Sequence, residues 1–152
     1  MAKRITKKMF KKMDIVARMV LALRPLYAVE DDEQKRNMIL TTVGAAIFYI
    51  SSSVLDSGVS IALKDGDKGV KDHYYSRHLA AKELIESDKS YDDILELLPA
   101  LISVNHITKE EHIRVTKLHW RKLDITPEEY YQRAGIELRP VKEPVDLGLI
   151  GF

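Results

Sequence analysis

Apolar residues in the first part of the chain return every three to four positions, the period of a helix that buries one side. Met9, Met13, Val16 and Val20 form such a row within residues 5–23, and the lysines fall on the opposite side. Arg24-Pro25 is expected to end this helix, because proline disfavours helical geometry in the residue before it. A second helix is predicted to begin near Glu30-Asp31-Asp32-Glu33, where negative charge suits a helix N-terminus. It runs through Ile39, Val43, Ala46, Ile47 and Ile50 to about Leu55. The period then changes. Gly58-Val59-Ser60-Ile61-Ala62-Leu63 alternates as a strand does, Asp65-Gly66-Asp67 supplies a turn, and residues 70–75 can return as the second strand of a hairpin. Ser76 can cap a helix over 77–86, and Ser90-Tyr91-Asp92-Asp93 opens another that ends near Leu98-Pro99. Leu101-Ile102-Ser103-Val104 is a short β-leaning run. Thr108-Lys109-Glu110-Glu111 opens a helix over 109–122, and Thr126-Pro127-Glu128-Glu129 opens a last one that stops at Gly135. The tail, with Pro140 and Pro144, reads as an extended arm.

The elements describe an α+β, mainly α, single domain over residues 1–152. Helices occupy 1–57, a strand–strand–helix core occupies 58–122, and a helix and arm occupy 123–152. A hydrophobic content of 45% with 31% charged residues is that of a globular chain able to bury a core. The absence of cysteine excludes a disulfide scaffold, a thiol nucleophile and a cysteine-ligated zinc, and favours the cytoplasm as the location. Residues 38–55 carry no charge, but their length is marginal for a span and they include Gly44 and three consecutive serines. They are expected to form a buried helix, with no membrane partner. Lysines and an aspartate interrupt the apolar part of residues 1–23, so a targeting peptide is not expected there.

The net charge of +1 conceals a basic arm, Lys3, Arg4, Lys7, Lys8, Lys11 and Lys12, ahead of the first acid, Asp14. Local positive charge suffices for phosphate contacts, although a solvated helix face has the same composition. The concentrated chemical signal lies elsewhere. All five histidines, His73, His78, His106, His112 and His119, fall within one third of the chain. His73 ends a predicted strand, His106 ends the β-leaning run, and His112 lies in the first turn of a capped helix. If the two strands pair, His73 and His112 are expected to face each other. A neutral imidazole near pH 7 takes a proton from water, and a neighbouring carboxylate sets its tautomer.

Asp72-His73 at a strand end, then a strand carrying Asn105, then a helix carrying His112, resembles the HNH or His-Me finger (ββα-metal) nucleases, in a phage-type variant. The resemblance covers residues 70–122. It implies His73 as general base, Asn105 as the residue that fixes the loop or orients the base, and Asp72 and His112 as ligands of one divalent metal, Mg²⁺, Mn²⁺ or Zn²⁺. Arg77, His78, Lys109 and His119 would contact nucleic acid near the cut, and Lys7, Lys8, Lys11 and Lys12 would hold a more distant stretch of backbone. The chain departs from the family pattern in having no zinc-knuckle cysteines, in Tyr74-Tyr75-Ser76-Arg77 after the first histidine, and in two helices between the strands. The expected activity is metal-dependent hydrolysis of nucleic acid, DNA first. The alternative is a non-catalytic helical interaction protein or DNA-binding accessory factor, with a homo-oligomer or protein partner open in either case.

Other chemistries lack their residues. Gly66-Asp67-Lys68-Gly69 lacks the ending of a phosphate-binding P-loop, and no His-Glu-x-x-His pair is present. Ser76 lies near His73 and His78 in sequence but is better explained as a helix cap.

Overall fold

The computed structural model describes residues 5–50, 56–64 and 66–140. Its elements in chain order are α1 (Lys7–Val29), α2 (Glu33–Tyr49), β1 (Asp56–Ser60), β2 (Val70–His73), α3 (Arg77–Ile85), α4 (Tyr91–Leu101), β3 (Val104–Ile107), α5 (Lys109–Trp120), α6 (Pro127–Arg133) and β4 (Leu138–Pro140). The expectation of a mainly α, α+β fold is met. No helix among the described residues is long and apolar enough to cross a membrane. The basic residues Lys3 and Arg4, Asp65 of the expected turn, the stretch 51–55 and the tail beyond 140 lie outside the described residues.

Each helix begins where a short polar side chain can accept a backbone N–H. Thr6, Asp32, Ser76, Ser90, Thr108 and Thr126 all cap in this way. Ser90 and Thr108 form full capping boxes with Asp93 and Glu111. The last helix ends on Gly135 in the left-handed region, at φ 70°.

Two helix ends differ from expectation. Pro25 lies inside α1, which continues to Val29. The carbonyl it leaves unbonded belongs to Leu21, and both residues are exposed, so water can serve that group. The turns beyond are held from outside. Arg24 donates to the carbonyls of Leu84 and Lys89 and to the Ser87 hydroxyl, and the Tyr27 hydroxyl donates to Glu86. Similarly, α4 runs through Pro99 to Leu101.

The sheet corrects a second expectation. β1 and β2 do not form a hairpin, because β3 lies between them in the order β2-β3-β1-β4. β3 pairs antiparallel with β2, placing Asp72 opposite Asn105 and His73 opposite Val104. It pairs parallel with β1, with a register shift between Asp56 and Gly58. β3 begins at Val104 rather than at Leu101, and three of its four residues are buried, as suits a central strand.

Two apolar clusters flank this sheet. The larger joins α1, α2, α3 and α4 around Met13, Val20, Ile47, Leu84 and Leu98. The smaller joins Ile107 of β3 to Val115 of α5 and to Tyr130 and Tyr131 of α6. Side chains alternate along a strand, and directly opposed residues of an antiparallel pair share a face. Asn105, Ile107 and Asp72 therefore face α5 and α6, while His73 turns toward the larger cluster.

A polar network joining β2, β3, α5 and α6

Asp72 and His112 are 40 residues apart in sequence, yet Asp72 Oδ1 stands 3.0 Å from His112 Nδ1. The other carboxylate oxygen accepts the Tyr131 hydroxyl, and the same hydroxyl accepts from Asn105 Nδ2 at 3.1 Å. Asn105 is buried, and its side-chain oxygen lies 3.1 Å from the point where a Cβ on Gly58 would stand. Glycine at 58 thus leaves room for the asparagine. Asp72 is 7% exposed, whereas the His112 side chain is 40% exposed. The network is anchored in the interior and opens to solvent at His112.

The neighbouring Glu111 fixes the start of α5. Its Oε2 accepts the backbone N–H of Thr108 at 2.8 Å, and its Oε1 accepts the Ser60 hydroxyl at 2.7 Å. Glu111 and Ser60 are both buried, so the capping box also ties α5 to β1. The first turn of α5, and His112 with it, is set against the sheet by these bonds.

Two ligands at about 2.1 Å from one cation and at right angles to each other stand about 3.0 Å apart. The Asp72–His112 spacing fits that arrangement as well as it fits a direct hydrogen bond. An oxygen and a nitrogen donor suit Mg²⁺, Mn²⁺ or Zn²⁺, and Tyr131 is an outer partner that orients the carboxylate. Among the described residues no group of three or more histidine or acidic side chains converges on one point, so a cation at this place would have only Asp72 and His112 as side-chain donors.

His73 does not face His112. Its ring stacks on Phe48 of α2, with centroids 4.0 Å apart, and its Nδ1 is buried without a hydrogen-bond partner. Burial pushes its pKa below the ordinary histidine value, an effect that Asp72 opposes and Arg77 reinforces. Tyr131 moves the other way: burial first, then the Asp72 carboxylate, pushes its phenol far above the ordinary value. It is a hydroxyl donor throughout the physiological range. Sequence reasoning missed Tyr131 because Tyr130-Tyr131 carries no pattern that separates a packing residue from a hydrogen-bonding one.

Arg77, His78 and His119 line one cleft of about 680 Å³, together with Phe48, Lys82, Trp120 and Lys122. Burial lowers the His119 pKa, and the Asp72 carboxylate opposes that shift. His119 also packs on Tyr130, with ring centroids 4.1 Å apart. His78 is lowered by burial and then by Lys82 and Lys122. Lys109 opens α5 and is not among the cleft residues. Lys7, Lys8 and Lys11 are exposed on the first turns of α1. Lys12 is tied to the end of α2, donating to the Tyr49 carbonyl at 3.2 Å with its ammonium over the Tyr49 ring. No protein-family model, curated protein or solved structure matches this chain.

Proposed function

We propose that the chain is a metal-dependent endonuclease of the ββα-metal type, hydrolysing phosphodiester bonds of nucleic acid, DNA first. The observation that carries this is the meeting of Asp72 and His112 at 3.0 Å on an antiparallel strand pair followed by a helix. Asp72 and His112 would hold the cation, with Tyr131 keeping the carboxylate in place. A divalent cation bound there supplies positive charge to the scissile phosphate and to the departing oxygen. His73 ends the same strand on its opposite face, stacked on Phe48, so it would take the proton from the attacking water only after its ring turns toward the pair. The water oxygen bonds to phosphorus, one phosphorus–oxygen ester bond breaks, and the departing sugar oxygen gains a proton from solvent. Asn105 acts through Tyr131 as a positioning residue.

The test is supercoiled plasmid incubated with the purified chain in Mg²⁺, Mn²⁺ or chelator. Nicking or linearisation is expected with metal and not with chelator. Asp72→Ala, His112→Ala and His73→Ala should each reduce it by at least about 100-fold, the lower end of what a proton-transfer group contributes. Cutting that survives chelation and the His73 and His112 substitutions would end this reading. If only His119→Ala abolishes it, the base role passes to His119, which lies in the cleft and senses Asp72.

One observation favours a second reading, a nucleic-acid-binding protein without catalysis. Both Asp72 oxygens already have protein partners, so the network is complete as a structural tie between the sheet and the helices. That reading predicts salt-sensitive DNA binding that needs no metal and persists in His73→Ala.

A further inference from the structure

The cleft formed by α2, α3 and the C-terminal end of α5 has a composition that the phosphodiester chemistry does not use. Three cations, Arg77, Lys82 and Lys122, border it against a single acid, Asp124, leaving an excess of two positive charges before the histidines are counted. Lys82 stands 3.9 Å from Asp124, whose side chain is 96% exposed, so that pairing is weak. Arg77 and Lys122 have no carboxylate partner among the described residues. At the mouth lies Trp120, the chain's only tryptophan, 77% exposed. The indole thus presents a flat apolar face beside the cations of the cleft, one of which, Arg77, already lies over the Phe48 ring.

Lys122 adds an independent observation. It has φ 50°, the sole positive-φ position occupied by a residue other than glycine among those described. Glycine or asparagine fits such a helix-terminal position with less strain. A lysine there places a cation beside His78 and on the cleft wall.

We propose that this cleft seats one unpaired nucleotide of a nucleic-acid strand, with the base stacked on Trp120 and the flanking phosphates held by Arg77, Lys82 and Lys122. A flat apolar surface and clustered cations together match a base and its phosphates, as neither an acidic peptide nor inorganic phosphate does. The volume lies within the range of about 300–1,000 Å³ usual for small-molecule clefts. His112 and His119 are two helical turns apart on α5, a rise of about 10 Å, so the nucleotide sits close to the Asp72–His112 pair on the same strand. In assigning the strand its direction toward that pair, the proposal rests on the nuclease reading. The cleft's affinity does not depend on cutting.

Trp120 is its own reporter. The full chain, in chelator, is titrated with an oligothymidylate of eight nucleotides, the matching oligouridylate, a blunt duplex of equal length, a mononucleotide and inorganic phosphate, following tryptophan emission. Saturable quenching by the single strands, weaker with the duplex and absent with phosphate, is expected. DNA and RNA arms separate the two sugar types. By anisotropy of labelled oligothymidylate, Trp120→Ala should weaken binding about 10-fold. Lys122→Gly should weaken binding while raising the melting temperature, an opposite pairing that a merely structural lysine would not produce. Absence of quenching by any oligonucleotide, or affinity unchanged in both variants, overturns the proposal. Quenching as strong with phosphate or mononucleotide as with the oligonucleotide overturns it too. Binding with these variant effects but no plasmid cutting removes the nuclease reading and leaves the cleft standing. Cutting with neither variant effect does the reverse.

Discussion

At the scale of single residues, the network around Asp72 depends on one hydroxyl. Tyr131→Phe removes the donor to Asp72 Oδ2 and the oxygen that accepts from Asn105 Nδ2. A loss of about 1–3 kcal/mol in unfolding free energy is expected, read by denaturant titration. Tyr131→Leu should cost more, because a cavity adds to the lost bonds. Three partly buried histidines set a pH dependence. His73, His78 and His119 have folded pKa values below the ordinary 6.5, mainly through burial. Their unfolded forms therefore bind protons more readily. Stability from these groups is fully present above about pH 6.5 and falls as pH drops below it, toward the folded values. Melting temperatures measured from pH 7.5 down to pH 5 should decline, and His78→Gln should flatten part of that decline. A profile that rises toward acid would contradict the burial of these three rings.

At the scale of elements, the close approach of α2 and α3 turns on Gly44. A Cβ there would meet the Arg77 carbonyl oxygen at 2.8 Å, a backbone atom that cannot swing aside. Gly44→Ala would gain about 1 kcal/mol of helix propensity elsewhere in a helix, but here crowding should prevail, for a net loss of about 1–2 kcal/mol. Calorimetry against Ala46→Gly, which carries the opposite propensity change without the contact, checks the sign. Glu111→Ala should be costlier, about 2–4 kcal/mol, because it strands the buried Ser60 hydroxyl and the Thr108 N–H together. The helix starts were legible in the sequence because capping is local: Ser90 with Asp93 and Thr108 with Glu111 announce themselves within four residues. The end of α1 was not, because what carries it past Pro25 is Arg24 reaching residues 60 and more positions away. Strand pairing was legible for β2 with β3 only as a possibility, and the hairpin of β1 with β2 was wrong for the same reason. Turn chemistry is written in the sequence, but which strand occupies the centre of a sheet depends on where the helices pack.

At the scale of the whole molecule, the sequence pattern placed Asp72 and His112 on elements able to meet, and they do meet. It set His73 toward His112, overlooking that adjacent strand residues turn to opposite faces. The gathering of Trp120, Lys82 and Lys122 around one cleft, and the bonding of Tyr131 to Asp72, were not legible, since each residue gains its place from a fold contact rather than from a motif. The basic first turn of α1 and the cleft are separate positive regions. If both touch nucleic acid, the logarithm of affinity for long duplex should fall with the logarithm of salt more steeply than for an eight-nucleotide single strand, and Lys7→Ala with Lys11→Ala should lessen only the former slope.

The order in which the polar tie is completed has a consequence for how the protein is made. Asp72 is synthesised early, His112 later, and Tyr131 last, and two helices separate β2 from its partner strand. A nascent chain halted before residue 131 lacks the phenol that donates to Asp72, so the tie between the sheet and α6 closes only after α6 has been made. Asp72 and His112 meet earlier, on elements that Glu111 has already set against β1.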